Sequence, residues 1–584
     1  MHPGKIRPFV CTSIVLGCLV GIDRVSAEIG KQPIGKQPIG RQIESFTLRD
    51  FYGKEHSLDD CDANLVVVAF LGTQCPLAKL YGPRIEALNQ RFGGRSVAFL
   101  GINSNTQDAI TQISAYARRH SLSFPILKDP ANQVADQFEA VRTPEVFVLD
   151  RDRIVRYYGR VDDQYGVGYQ RPEPKREDLA IALEELLAGK AVSTPVTEAD
   201  GCHIGRVQKV EPHGDVTYSK HIARIFNKRC RECHRKGEIA PFPLTSFTDV
   251  QGWADTIVEV IKENRMPPWP ANPAFGHFSN DARLTDEEKD LVFRWVENGM
   301  PAGDPKDLPE PPKFAAGWRI PEPDQVVYMR EQPFTIPAGG VVDYQYFEVD
   351  PGFTEDKYIW AAEARPDNSS VVHHIIVYIQ PPGEKKFRRR GAIDGYAPGS
   401  QPTVFENGLA KHVPAGSKFV FEMHYTPNGS EQQDRSYVGF KFLDKDKVTK
   451  PVHGNLAADT KFRIPPHARN YKVTATRKIQ HDQILLNLTP HMHLRGKSFR
   501  YEAMFPDGRQ EVLLDVPRYD FNWQLTYELA QPMLLPQGTK IVCTAHFDNS
   551  EDNPANPDPG KEIRWGDQSW DEMMIGFFAV VAAP

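Results

Sequence analysis

The sequence predicts a multidomain chain: an α/β domain, then an all-α domain, then two all-β sandwich subdomains. Three observations predict it. Apolar strand-like runs alternate with helix-spaced segments over residues 45–195. A helical stretch over 219–305 surrounds Cys230-Arg231-Glu232-Cys233-His234. From residue 325 onward, short alternating strands are separated by Pro, Gly, Asn and Asp.

The 584 residues suffice for three or four domains with real cores, and 40% hydrophobic with 25% charged residues is an ordinary globular balance. A net charge of -6 points to neither nucleic acid nor a membrane surface as partner. No internal run is long and apolar enough for stable membrane insertion. The N-terminus has Lys5 and Arg7, an apolar stretch from Pro8 to Ile22, and a small-residue site at Val25-Ser26-Ala27. That is the anatomy of a signal peptide over 1–27, and it implies a periplasmic or secreted protein. Val15-Leu16-Gly17-Cys18 resembles a lipoprotein box, but the apolar residues after Cys18 favour soluble release. Residues 28–44 repeat Gly-Lys-Gln-Pro-Ile and read as a flexible leader.

Within 45–195, Leu65–Leu71 is a β-branched apolar run, the pattern of a strand buried on both faces. Helical spacing follows over Pro76–Phe92, a strand over Ser96–Ile102 and a helix over Asp108–His120. Glu145–Leu149 and Ile154–Tyr158 form a hairpin pattern, and Glu177–Leu187 a closing helix. A proline-rich linker near 308–323 separates the helical region from the β region, which divides into 325–450 and 451–584.

Cys230 and Cys233 are spaced to bond two haem vinyl groups, and His234 then presents an imidazole to iron. A zinc site would need a second ligand pair, and none is adjacent. Met266, in Arg265-Met266-Pro267-Pro268-Trp269, supplies a soft second axial ligand on a proline-held loop; a core methionine is the alternative. Residues 219–305 resemble a cytochrome c domain with both ligand motifs in the usual order, which implies one haem c.

In the β region, His373 and His374 lie in a strand-like run, as does His424, and His491-Met492-His493 follows Leu488-Thr489-Pro490. Strand alternation puts His491 and His493 on one face, where two imidazoles can chelate one metal. His373 and His374 are adjacent, so they can share a metal only if the strand is bulged or ends there. Residues 325–584 resemble the copper type II, ascorbate-dependent monooxygenases, in which His-His, His-Tyr, His-x-His and Asp-Glu-Met occur in this order. The resemblance implies two coppers, one held by His373, His374 and His424 for electron transfer. The other, held by His491, His493 and Met573, would activate dioxygen. It also implies ascorbate as a reductant and a small-molecule or peptide substrate. The disulfides of the animal enzymes and the residues that hold a peptide carboxylate have no counterparts here.

Residues 45–195 resemble the redoxin branch of thioredoxin-like proteins through Gly72-Thr73-Gln74-Cys75-Pro76 and Thr143-Pro144-Glu145-Val146-Phe147. The resemblance makes Cys75 the reactive thiol at a helix N-terminus and Pro144 a cis-proline opposite it. The second cysteine of Cys-x-x-Cys is replaced by Ala78, and the peroxiredoxin threonine by Gly72. Exchange would therefore need a resolving cysteine such as Cys61 or Cys202; a degenerate domain kept for structure is the other reading. The main expectation is an exported copper-dependent monooxygenase with a fused haem electron donor. Its rivals are an electron-transfer or thiol-disulfide protein, with a redox partner protein, whose copper domains only bind metal, and a non-catalytic adhesion module.

Overall fold

The structure is a computed structural model and describes residues 38–314, 317–384, 387, 389, 391–397 and 399–584. The signal peptide and most of the leader expected over 1–44 lie outside the described residues. Among the described residues, no helix is long and apolar enough to cross a membrane.

The first domain is built on a seven-stranded sheet. Its elements are β1 (Thr47–Asp50), β2 (Glu55–Ser57), β3 (Leu65–Phe70), α1 (Pro76–Phe92), β4 (Val97–Asn103), α2 (Ile110–Arg119), β5 (Ile126–Lys128), α3 (Gln133–Phe138), β6 (Arg142–Thr143), β7 (Glu145–Leu149), β8 (Val155–Gly159) and α4 (Asp178–Leu187). The strand order is β2-β1-β5-β4-β3-β7-β8, with β3, β4 and β5 parallel and β7 antiparallel to β3. All six residues of β3 are buried, as the unbroken apolar run requires of a strand covered on both faces. α1 starts where its sequence says: Pro76 fills the first helical turn, where a missing N–H costs nothing. α2 begins two residues later than its apolar spacing suggests. Asp108 is drawn inward, where its carboxylate accepts hydrogen bonds from the Thr73 N–H and hydroxyl and from the Asn103 amide.

Helices Ala223–Arg229, Phe247–Gly252, Ala254–Lys262 and Asp286–Glu297 enclose a small core around Phe226, Trp253 and Trp295. The expected self-contained all-α domain is corrected here. Loops make up more of 219–305 than helices do, and the segment between Trp269 and Arg283 leaves the helices. Trp269 and Ala271 belong to the core of the last β-sandwich, with the Trp269 ring 4.8 Å from Tyr527. The Asn272 N–H donates to the Asp515 carbonyl and the Ser279 N–H to the Glu528 carbonyl. Indole and phenyl surface that the small helical core cannot cover is buried there instead.

The remainder is all-β. A four-stranded sheet (Gln345–Val349, Lys418–Tyr425, Val372–Gln380, Ala392–Tyr396) faces a larger sheet centred on Lys357–Arg365 and Tyr437–Phe442. Their common core includes Val377, Phe421 and Phe440. A second sandwich pairs two four-stranded sheets, one through Gln483–His491 and Ile575–Ala582, the other through Gly496–Met504 and Lys540–Phe547. The division falls between Pro451, whose strand joins the first sandwich, and His453, whose strand joins the second.

Trp269→Ala removes an indole that is 6% exposed, so the C-terminal sandwich should lose about 3–5 kcal/mol, read as a lower denaturant midpoint in far-ultraviolet dichroism. A surface-like change within about 0.5 kcal/mol would contradict the docking of this segment.

Candidate functional site

Cys75 caps the N-terminus of α1 with an extended backbone, and its side chain is fully buried. Its Sγ lies 2.8 Å from the carbonyl oxygen of Thr143, the residue whose bond to Pro144 is cis. Gly72 is needed at the peroxiredoxin threonine position: a Cβ there would sit 2.7 Å from Asn105 Nδ2 and 2.8 Å from Thr143 Oγ1. Cys202, not Cys61, is brought to Cys75. The short strand Cys202–His203 pairs antiparallel with β6, setting Cys202 opposite Thr143. Gly201 makes this approach feasible, because at φ +151° any Cβ would overlap the Thr143 carbonyl. Cys61 packs instead with the core on the opposite face of the sheet.

The pairing of Cys202 with Thr143 brings the two thiols together, and each shifts the acidity of the other. Burial alone would push the Cys75 thiol up. Hydrogen bonding from the Cys202 thiol and from the backbone N–H groups of Ala78 and Cys202 outweighs it, bringing Cys75 down to about 6. Cys202, the donor of that bond and itself desolvated, is pushed well up.

Glu259, on the helix Ala254–Lys262, holds the pair from the other side. Its carboxylate lies 2.5 Å from His203 Nε2 and accepts from Arg142 at 2.8 Å, gripping both strands beside the thiols. It also pairs with Arg265, the residue before Met266. Burial opposes ionisation of Glu259, but the hydrogen bonds from His203 and Arg142 win and hold it at about 2.

Cys230 follows the helix Ala223–Arg229, and the next turn folds back through Cys233 N–H and His234 N–H to the Cys230 carbonyl. His234 Nδ1 bonds the Phe242 carbonyl at 3.0 Å, which orients the ring and leaves Nε2 free. Burial pushes the Cys230 and Cys233 thiols up to about 12 and about 11, so they are protonated at neutral pH. Met266 is fixed at the end of its helix by an N–H bond to the Val260 carbonyl and precedes a cis-proline. These residues fit a haem in donor type and in the free imidazole nitrogen.

In the first sandwich, the pairing of Val372–Gln380 with Lys418–Tyr425 shifts register between Val372 and His374. This is the bulge that adjacent histidines need in order to share a ligand. His373, His374 and His424 present ligand nitrogens within 4.8 Å of one another. His374 Nε2 and His424 Nδ1 are buried without a hydrogen-bond partner, as expected of atoms that donate to a metal. Burial pushes His373 down to about 4 and holds the other two well below the usual histidine range, leaving neutral imidazoles with free lone pairs. The three residues fit a copper ion.

The second set is less regular. The strand ends at His491, and His493 lies beyond it, yet their rings are 5.3 Å apart. One Glu572 oxygen accepts from both the His493 and Met573 N–H groups, so a buried carboxylate joins the two segments. Met574 packs into the sandwich core, while Met573 is buried outside that cluster. His491 Nδ1 bonds Gln524 at 2.7 Å, and His493 Nδ1 is unpartnered. Two aromatic rings that sequence reading passed over bridge the histidine groups. Tyr344 lies 4.7 Å from His424 and 6.1 Å from His493, and Phe521 lies 5.4 Å from His373 and 6.0 Å from His493.

Residues 39–158 match the AhpC/TSA family. The chain carries a redoxin domain. Over 116 residues it is 27% identical to the thioredoxin-like protein YneN of Bacillus subtilis, a match to 20% of this chain and 67% of that protein. Over 111 residues it is 28% identical to the thiol-disulfide oxidoreductase ResA of Geobacillus thermodenitrificans, covering 19% of this chain and 63% of the relative's length. A hypothetical protein of Sinorhizobium meliloti of known structure is 29% identical, with 29% of this chain and 94% of that one covered and a TM-score of 0.27.

These relatives overturn the expected enzyme class: they are thioredoxin-like and thiol-disulfide proteins, not copper monooxygenases. The catalytic role expected for Met573, His491 and His493 belonged to that class.

Glu259→Gln tests the clamp. A carboxyl held at about 2, against the usual 4.5, contributes stability that is complete above 4.5 and is lost as pH falls towards 2. The stability gap between wild type and Glu259→Gln should be widest near neutral pH and shrink through that acid window in denaturant titrations. A gap independent of pH would rule the clamp out.

Proposed function

We propose that this chain is an exported thiol-disulfide redox protein whose exchanging pair is Cys75 and Cys202, with a haem c and copper as electron-transfer centres. One observation carries the reading: strand pairing sets Cys202 opposite Thr143, whose carbonyl accepts the hydrogen bond of the buried Cys75 thiol at 2.8 Å. The named activity of the ResA relative supports it over the redoxin domain. Cys75 supplies the thiolate, Cys202 the resolving thiol, and a redox partner protein the other half of the exchange. Asp108 tethers the Thr73 turn beneath the thiol, and the Thr143 carbonyl fixes the sulfur's direction.

Cys230, Cys233 and His234 would hold the haem, with Met266 as its second axial ligand. His373, His374 and His424 would hold one copper, and His491, His493 and Met573 a second. Bound there, both metals would supply one-electron redox chemistry. The protein's own part is to keep the imidazoles neutral and dry and to aim them. Asn522 links the copper residues to the redoxin domain: its Oδ1 lies 3.4 Å from His373 Nε2, and its Nδ2 donates to the Gly168 carbonyl at 3.2 Å.

Mild oxidation, alkylation and peptide mass mapping should recover a Cys75–Cys202 cross-linked peptide; its absence would end the thiol reading. In the reduced protein, ultraviolet thiolate absorbance of Cys75 should titrate with a midpoint of about 6. Cys202→Ala deletes the main stabilising donor while burial persists, so that midpoint should rise. His424→Ala should weaken copper binding at its site by at least about 100-fold, measured by competition with a chelator, and leave haem attachment unchanged.

A further inference from the structure

Thioredoxin-like pairs are ordinarily pictured with the helix-capping cysteine as the group that meets the partner. The surroundings of the two sulfurs argue otherwise in this chain. Cys75 has no solvent-exposed surface. Its sulfur is closed in by the Thr143 carbonyl at 2.8 Å and by Gly72, which is itself packed against Asn105 and Thr143. Cys202 is partly exposed and lies on a two-residue strand at the seam between the redoxin core and the helical core. We propose that a partner dithiol enters the exchange at Cys202, and that Cys75 is the leaving group.

The proposal rests on the thiol-exchange reading and adds its direction. In the oxidised chain, a thiolate of the partner attacks the Cys202 sulfur. The Cys75–Cys202 bond breaks, and Cys75 departs with the electron pair as a thiolate. A mixed disulfide now joins Cys202 to the partner. The partner's second thiol, losing its proton, attacks its own sulfur in that mixed disulfide and expels Cys202, which takes up a proton. The chain's disulfide has gained two electrons, and the partner dithiol has become a disulfide.

Physical chemistry favours this direction at both sulfurs. Exchange is faster when the attacked sulfur is accessible and when the departing thiol is the more acidic one. Cys202 meets the first condition better than Cys75, since it alone of the two is not fully covered. Cys75 meets the second, because hydrogen bonding from the Cys202 thiol and from backbone N–H groups lowers it while Cys202 is raised. Stabilising the reduced form in this way also makes the pair a better oxidant. The strand that carries Cys202 is held at Glu259 by His203, so the attacked sulfur stays in place while Cys75 withdraws.

The test uses the full-length holoprotein and oxidised glutathione as the probe. Cys75→Ser protein should acquire glutathione at Cys202, located by peptide mapping. In folded Cys202→Ser protein, Cys75 should be modified roughly ten-fold more slowly or worse, and at a comparable rate once unfolded in urea. Cys75→Ala and Cys202→Ala, checked for native near-ultraviolet dichroism, repeat the comparison without a new hydroxyl. Glutathione on Cys75 as fast as on Cys202, or none on Cys202, would overturn the proposal. If wild type forms the Cys75–Cys202 disulfide in that case, entry at Cys202 alone is wrong. If it never forms, the thiol-exchange reading itself has failed.

Discussion

The thiol pair depends on one close backbone approach, that of residues 201–203 to residues 142–144. It is made feasible by the missing side chain at Gly201 and is held by the Glu259 carboxylate, which reaches both strands through His203 and Arg142. Two thiols far apart in the chain come together only because these features act together. The acidity of Cys75 follows, since a desolvated thiol in the same turn without Cys202 beside it would be pushed upward. The redoxin domain thus borrows half of its chemistry from the segment that leads into the helices.

A similar economy recurs at the other buried carboxylates. Asp108 collects donors from three neighbouring residues under the Cys75 turn, and Glu572 accepts from the backbones of His493, Arg495 and Met573. Convergent N–H donors offset part of the hydration these buried carboxyls lose.

The sequence was most legible where local rules govern. The unbroken apolar run of β3, the proline at the start of α1 and the hairpin of β7 and β8 all formed within a residue or two of their expected bounds. Adjacent histidines at 373 and 374 demanded a bulge, and one is present. What could not be read is non-local. Cys202 carries no spacing signal toward Cys75, and choosing it over Cys61 requires knowing that its strand pairs with β6. Tyr344 and Phe521 look like ordinary core aromatics until the two sandwiches are brought together. The late start of α2 reflects a tertiary use of Asp108 that outbids its helical position.

The docking of residues 269–283 onto the final sandwich bears on how the chain comes to be made. Synthesis runs from the N-terminus, so Trp269 and Phe278 emerge well before Tyr527, the ring they pack against. Until the last strands are translated, those side chains have no permanent cover, and the loop after Met266 has no anchor. The haem-motif segment cannot mature as an independent unit, then the β region after it. Its final shape is set last, by the C-terminal end, and a chain stalled or cleaved before residue 527 would present an apolar surface open to misassembly.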